Sequence, residues 1–296
     1  MNLANALRLI VLSAIWGSSF LFMRLAAPVL APTVLVVLRV GLAALFLAGV
    51  VLLARHALDL RRHARAFLIL GCLNAAVPFT LYAYAAKTAP AALLAILNAT
   101  APLWAAVFVA LWTRSWFAPR ALGGLLLGIA GVSLLAGVES LTLPPGGGLA
   151  IAAAAGASAC YALASLYAKS LRDVPPHSNA LGSMSAATLL LLPFAAGAPL
   201  PPALPEITVL LSVAALGIVC SGIAILMYYR LIAELGAVPA LTVTYLIPVF
   251  GILWGALFLG EPIGWHTLAG SVAVLAGTAL VTGFSPRQLR AAKTPR

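Results

Sequence analysis

Ten stretches of about twenty residues, nearly free of charge, follow one another along this chain. They run roughly over 8–27, 33–54, 66–86, 91–113, 120–138, 148–169, 178–197, 207–229, 237–259 and 266–284. A helix needs about 20 mainly apolar residues to cross the hydrocarbon of a bilayer. In lipid every backbone polar group must be satisfied within the protein, so only helices and closed barrels span. These runs are continuous rather than alternating, which selects helices. The sequence therefore predicts an all-α integral membrane protein with ten transmembrane helices. Composition agrees, since 64% of the 296 residues are hydrophobic and 8% are charged, against about 25% charged in soluble domains. So few charges cannot clothe a water-facing surface.

The breaks between runs carry turn chemistry, as in Pro144-Pro145-Gly146-Gly147-Gly148, Pro175-Pro176 and Pro199 to Pro205. None is long enough for a second domain. Residues 1–27 read as a first span rather than a cleaved leader, because the run is long and no small-x-small site precedes a soluble segment. The net charge of +11 does not point to nucleic acid, because the basic residues sit in short loops. With ten helices both termini share one side. That side holds Arg8, Arg55, Arg61, Arg62, Arg65, Arg114, Arg120, Lys169, Arg172, Arg230, Arg287, Arg290, Lys293 and Arg296, and the other holds only Lys87. Basic residues mark the cytoplasmic side of inner-membrane proteins, so both termini are expected there.

Shifting the sequence by 146 positions aligns its halves. Gly71 then meets Gly217, Tyr82 meets Tyr228, and Pro102 meets Pro248, while Gly124, Gly131 and Gly137 meet Gly270, Gly277 and Gly283. At an offset of 145, Ser13, Trp16 and Arg24 pair with Ser158, Tyr161 and Lys169. The expected organisation is one membrane domain made of two five-helix repeats, 1–143 and 144–296. An odd number of helices inverts the second repeat. Inverted repeats are the plan of secondary transporters, whose solute sites lie between the repeats near mid-membrane.

The local signatures are Trp16-Gly17-Ser18-Ser19-Phe20, Leu38-Arg39, Pro102, Pro248, Gly260-Glu261-Pro262, and the glycine-spaced last helix through Gly270 and Gly277. In this order and spacing the chain resembles the EamA-type members of the drug/metabolite transporter superfamily, and within them the YddG-type amino-acid exporters. The resemblance covers essentially the whole chain and implies a solute carrier, with amino-acid export as its activity. The first half departs from the pattern, having Arg114-Ser115-Trp116 where the second has Gly260-Glu261-Pro262.

The predicted interior holds little chemistry. All six acids and all four histidines fall in loops or near helix ends. A proton relay usually needs such groups within the span, so uniport is expected, with proton coupling through Glu261, close to an interface, as the alternative. There is no HExxH, no GxSxG and no acidic pair at metal spacing, so neither an enzyme nor a metal or other cofactor is expected. Cys72, Cys160 and Cys220 lie within apolar runs and read as packing residues.

Polar and aromatic side chains remain. Asn74 and Tyr82, eight apart, are expected on one helix face, with Pro78 between them. Asn98 shares a face with Pro102, and Tyr245 one with Pro248; Trp16, Ser19 and Met23 run along helix 1. We take Trp16, Asn74, Tyr82, Asn98 and Tyr245 as the candidate solute-binding residues, each also open to a plain packing role. Asn74 and Asn98 either bridge helices or face a wet cavity, since an unpaired amide in hydrocarbon is costly. Pro102 and Pro248 are candidate hinges. Arg39 is either an anchor that snorkels or caps carbonyls, or a contact for an anionic group. Gly124 with Gly128, and Gly251 with Gly255, read as close-packing positions within the bundle.

An aromatic, weakly polar cavity suits small solutes with an apolar part, namely amino acids, amphiphilic metabolites or drugs. The competing expectations are a multidrug or other metabolite carrier of the same superfamily and a non-transporting membrane assembly subunit.

Overall fold

The computed structural model describes residues 3–55, 62–142, 146–171, 174–236, 240 and 242–283. Its helices are α1 (Leu3–Ala26), α2 (Pro32–Leu53), α3 (Ala64–Ala85), α4 (Ala91–Thr113), α5 (Pro119–Thr142), α6 (Gly147–Ala168), α7 (Pro176–Ala196), α8 (Ile207–Leu235), α9 (Val243–Leu259) and α10 (Trp265–Thr282). No strand occurs among the described residues. Nine of these helices are long and apolar enough to cross a membrane, and α9 is an apolar helix of 17 residues. Residues 237–239 and 241, which belong to the ninth apolar run, lie outside the described residues.

Proline and glycine set many of the boundaries. Proline opens α2, α5 and α7, where its missing N–H has no helical partner to lose. Gly260 and Gly283 end α9 and α10 in the left-handed region, at φ of 66° and 68°. The eighth helix continues beyond 229, where the apolar run ends, to Leu235. Arg230 and Glu234 pair one turn apart and Glu234 also meets Arg8, so these charges are satisfied within the helical conformation.

Three spans depart from regular α-helix. In α3 residues Cys72–Ala76 form a π turn, directly before Pro78, whose ring cannot tolerate the carbonyl four residues back. In α8 a longer π segment covers Ala215–Ile223, and Ser221 Oγ donates to Leu216 O at 2.8 Å across the widened turn. In α4 the ladder breaks between Asn98 and Ala101, just ahead of Pro102. The π turn alters the phase of α3, so the uniform period behind the expected Asn74–Tyr82 face does not apply there. Tyr82 is buried while Asn74 is half-buried.

Helices from the two halves interlock. α1 packs on α9 and α6 on α4, α2 packs on α8 and α7 on α3, and the pairs α2–α7 and α5–α10 also meet. Glycine sets the closest approaches. A Cβ on Gly71 would lie 2.7 Å from Ser183 O of α7, and one on Gly217 would lie 2.9 Å from Arg39 O of α2. Gly124 and Gly277 bring α5 and α10 into backbone contact in the same way, and Gly251 faces Ala95. The bundle surface is rich in large apolar side chains, among them Leu45, Leu189, Leu257 and Val272, as expected of a face that meets lipid.

Adding a methyl at Gly71 or Gly217 should therefore force two backbones apart. Gly71→Ala and Gly217→Ala are expected to lower thermal stability, at a cost of about 1–3 kcal/mol each. Gly123→Ala, where nothing lies within 4 Å, should not. Melting temperatures in one detergent check this. Equal values for all three would show that the close approaches are not limiting.

Candidate functional site

Tyr82 of α3 is the hub of the interior. Its ring is 1% exposed and lies edge-on to Phe20 of α1 at 5.5 Å between centroids, and near-parallel to Tyr161 of α6 at 6.1 Å. Both geometries suit the ring quadrupole. Its hydroxyl stands 2.8 Å from Ser158 Oγ of α6 and 3.4 Å from Asn98 Oδ1 of α4. Ser158 in turn donates to Leu97 O at 2.7 Å. One chain of hydrogen bonds satisfies these groups, with Tyr82 donating to Ser158 and Ser158 to Leu97. Asn98 is then left with only the long contact, and its amide N–H groups have no partner among the described residues.

The break before Pro102 explains why α6 and α10 reach into α4. Ala99 O would accept from Leu103 N in an unbroken helix, but that N–H turns to Thr100 O. Ala99 O accepts instead from Thr278 Oγ1 of α10 at 3.1 Å. At the related place in α9, Ser13 Oγ lies 3.4 Å from Val243 O. In the sequence Ser158 lies 145 positions after Ser13 and Val243 lies 146 after Leu97, so a serine contact to a carbonyl of the opposite half occurs in both halves.

A second cluster adjoins the first at the π segment of α8. Arg39 of α2 is 4% exposed. Its Nε donates to Ser221 Oγ at 2.9 Å, and its guanidinium carbon lies 3.7 Å from the centre of the Phe79 ring. Tyr161 and Cys220 are the titratable groups within its electrostatic reach. Trp16 Nε1 donates to Cys220 O at 3.2 Å, and the indole tilts against Tyr228 at 5.2 Å. The two clusters together draw on α1, α2, α3, α4, α6 and α8.

Each end of the bundle carries an ionic tie between the halves. At one, Glu261 accepts from Ala91 N at 2.9 Å and Ala92 N at 3.4 Å, capping the start of α4. Arg24 lies 3.8 Å from the same carboxylate and donates to Ala86 O and Lys87 O. At the other, Arg8 of α1 pairs with Glu234 of α8, which also holds Arg230. Glu261 thus serves as a helix cap with a counter-ion.

Of the candidate residues, Trp16, Tyr82, Asn98 and Arg39 come together. Asn74 stands on the π turn of α3 and makes no side-chain hydrogen bond with described residues. Tyr245 stands apart at the start of α9, its hydroxyl 2.6 Å from Thr282. Pro102 borders the broken stretch of α4, and Pro248 lies buried within α9. Arg39 does not snorkel. Residues that the motifs did not single out as binding residues are Phe20, Phe79, Ser158, Tyr161 and Ser221. Ser158 and Tyr161 were legible only as repeat partners of Ser13 and Trp16. Two surface grooves, of about 490 and 450 Å³, lie away from this centre, beside Trp116 and beside Pro201–Pro205.

The EamA-like transporter family matches the chain over residues 5–137 and 148–283. The chain belongs to the EamA-like transporter family. It is thus a multi-pass membrane protein of a transporter family, and the central cluster lies where the two matched stretches meet. A protein known from its crystal structure has the same fold as this EamA-family chain, with a TM-score of 0.66 and 21% identity, covering 97% of this chain and 99% of its own. An uncharacterized protein of Pseudomonas aeruginosa, PA1977, is 36% identical over 77 residues, a stretch that spans 26% of each chain.

Asn98 and Ser158 should separate on mutation. Ser158→Ala removes the link between the Tyr82 hydroxyl and the Leu97 carbonyl, which keeps its bonds from Thr100, and should cost about 0.5–1.5 kcal/mol of stability. Asn98→Leu should leave melting nearly unchanged and weaken solute affinity roughly threefold to tenfold, the worth of about 0.5–1.5 kcal/mol. Melting temperature and affinity on one preparation decide it. A fall in melting with intact affinity for Asn98→Leu would make that residue a helix bridge.

Proposed function

We propose that this protein exports amino acids, aromatic ones included, by alternating access. Its fold would be ten transmembrane helices in two inverted five-helix repeats, 1–143 and 144–296. It would sit in the inner membrane with both termini in the cytoplasm, as the distribution of lysine and arginine favours. The observation that carries this reading is the central cluster. Side chains from both halves meet there, with tyrosine, tryptophan and phenylalanine faces around a few polar groups, which suits a small solute with an apolar part.

Several features support the repeat. The family matches two stretches of similar length, helix pairs recur when each helix is exchanged for its counterpart, and the two π turns fall at related positions. In that arrangement Arg24–Glu261 closes the outer end and Arg8–Glu234 the inner end. An exposed ion pair such as Arg8–Glu234 contributes little stability, so the inner closure can open at small cost, whereas the outer one is part-buried and also gives up the two N–H bonds to Glu261. Glu261, the most buried acid among the described residues, is engaged by two N–H groups and Arg24, which supports uniport over proton coupling. Asn74 and Tyr245 are proposed to meet the solute when the bundle opens rather than in this arrangement.

Purified protein in liposomes should accumulate radiolabelled phenylalanine faster than empty liposomes. Uptake should persist with equal pH on both sides and the voltage clamped. Uptake that vanishes there and returns with an imposed pH gradient would overturn uniport. Uptake of hydrophobic drugs but of no amino acid would favour a multidrug carrier.

A further inference from the structure

Arg39 is the anomaly of the interior. A buried cation is tolerable when a carboxylate and further acceptors surround it, and is costly otherwise. Here the guanidinium has five N–H donors, and among the described residues only Nε–H finds an acceptor, the neutral Ser221 hydroxyl. Its Nη1 is sealed from the exterior and has no partner. The acids with described side chains are engaged elsewhere, Glu234 with arginines and Glu261 with Arg24, or stand exposed, as Glu206 does. Phe79 offers a ring face, which eases the desolvation of the guanidinium without neutralising it.

The surroundings are those of a binding site rather than an anchor. Ser221 sits in the π segment of α8, a feature frequent at functional sites. Tyr161, within electrostatic reach, makes no side-chain hydrogen bond with described residues and stacks on Tyr82, whose hydroxyl approaches Asn98. Arg39, Tyr161 and Asn98 therefore carry uncommitted N–H and O–H donors in one contiguous stretch of the interior. Donors without acceptors, at a buried positive charge, specify an anion.

We infer that Arg39 is the anion-binding subsite of this carrier and that its solute bears a carboxylate, held by the guanidinium fork with its apolar part against Tyr82, Tyr161 and Trp16. This rests on the transport reading and narrows its substrate class. A single guanidinium suits a monoanion, whereas a phosphate dianion would call for a second cation, and Arg24 is occupied by Glu261. The carboxylate gives the guanidinium the counter-ion that Ser221 and Phe79 do not supply.

The test uses the purified full-length protein and three matched probes, L-phenylalanine, 3-phenylpropionate and 2-phenylethylamine. Wild type should bind the two carboxylates at least about tenfold more tightly than the amine, as a charge-assisted bidentate pair allows. In Arg39→Gln that preference should fall below about threefold, and in Arg39→Lys, which keeps the charge and loses the fork, it should be intermediate. The solute-free Arg39→Gln protein should melt no lower than wild type, since the change removes an uncompensated buried charge. A lower melting temperature would make Arg39 a structural anchor and overturn the assignment, as would an acid preference that survives Arg39→Gln. Should that variant not fold, wild type still decides, because equal binding of amine and acids contradicts the inference. Transport of the amine without preference for the acids overturns this inference alone, whereas binding of none of the three overturns it together with the amino-acid reading.

Discussion

In hydrocarbon a backbone carbonyl that leaves its helical ladder must find a donor within the protein, and this demand organises the whole interior. Pro102 breaks α4; the Ala99 carbonyl is caught by Thr278 of α10, and the Leu97 carbonyl receives a further bond from Ser158 of α6 beyond those within its own helix. In the second half, Ser13 of α1 reaches Val243 of α9, and Trp16 reaches the carbonyl of Cys220 in the π segment of α8. Every one of these donors comes from the opposite half of the chain. The irregularities that weaken single helices are therefore what tie the halves together. They also place hydroxyl and aromatic side chains at the centre of the bundle.

The sparse charges follow the same economy. Near the ends they pair, as Arg24 with Glu261 and Arg8 with Glu234, and each pair joins the first half to the second. At the centre a single cation, Arg39, stands between Ser221 and Phe79. Ties at both ends, with a polar and aromatic centre between them, are the parts that the proposed alternating access would use. The asymmetry between Glu261 and its counterpart Ser115 is a structural difference between the ends, because the carboxylate caps the first turn of α4.

Much of the fold was legible in the sequence, because hydrophobic run length and glycine, proline and tyrosine spacing follow directly from bilayer thickness and close packing. Gly71 and Gly217 aligned in the sequence, and each lies at a backbone approach to a helix of the other half. The site was legible only in part. Tyr82 and Asn98 meet, but the π turn of α3 shifts the phase on which the expected Asn74–Tyr82 face depended. Nothing local in the sequence signals a π turn, which arises from the contest between one proline and the packing around it. Tyr245 resembled Tyr82 in type, yet its position at the start of α9 sends its hydroxyl to Thr282. Ser221 and Phe79 escaped notice because a serine or phenylalanine in an apolar run is ordinary until Arg39 is seen beside it.

The central claim is that the two end closures alternate around one shared centre. Spin-label distances test it most directly, with one pair at Lys87 and Ile263 beside the Arg24–Glu261 end and another at Leu7 and Ala233 beside the Arg8–Glu234 end. The labels go into full-length protein in which Cys72, Cys160 and Cys220 are alanine and transport is retained. Saturating phenylalanine should shift the two distance distributions in opposite directions, one end widening as the other narrows. Distances that move in the same direction, or that both stay fixed while solute crosses, would contradict alternating access in this fold.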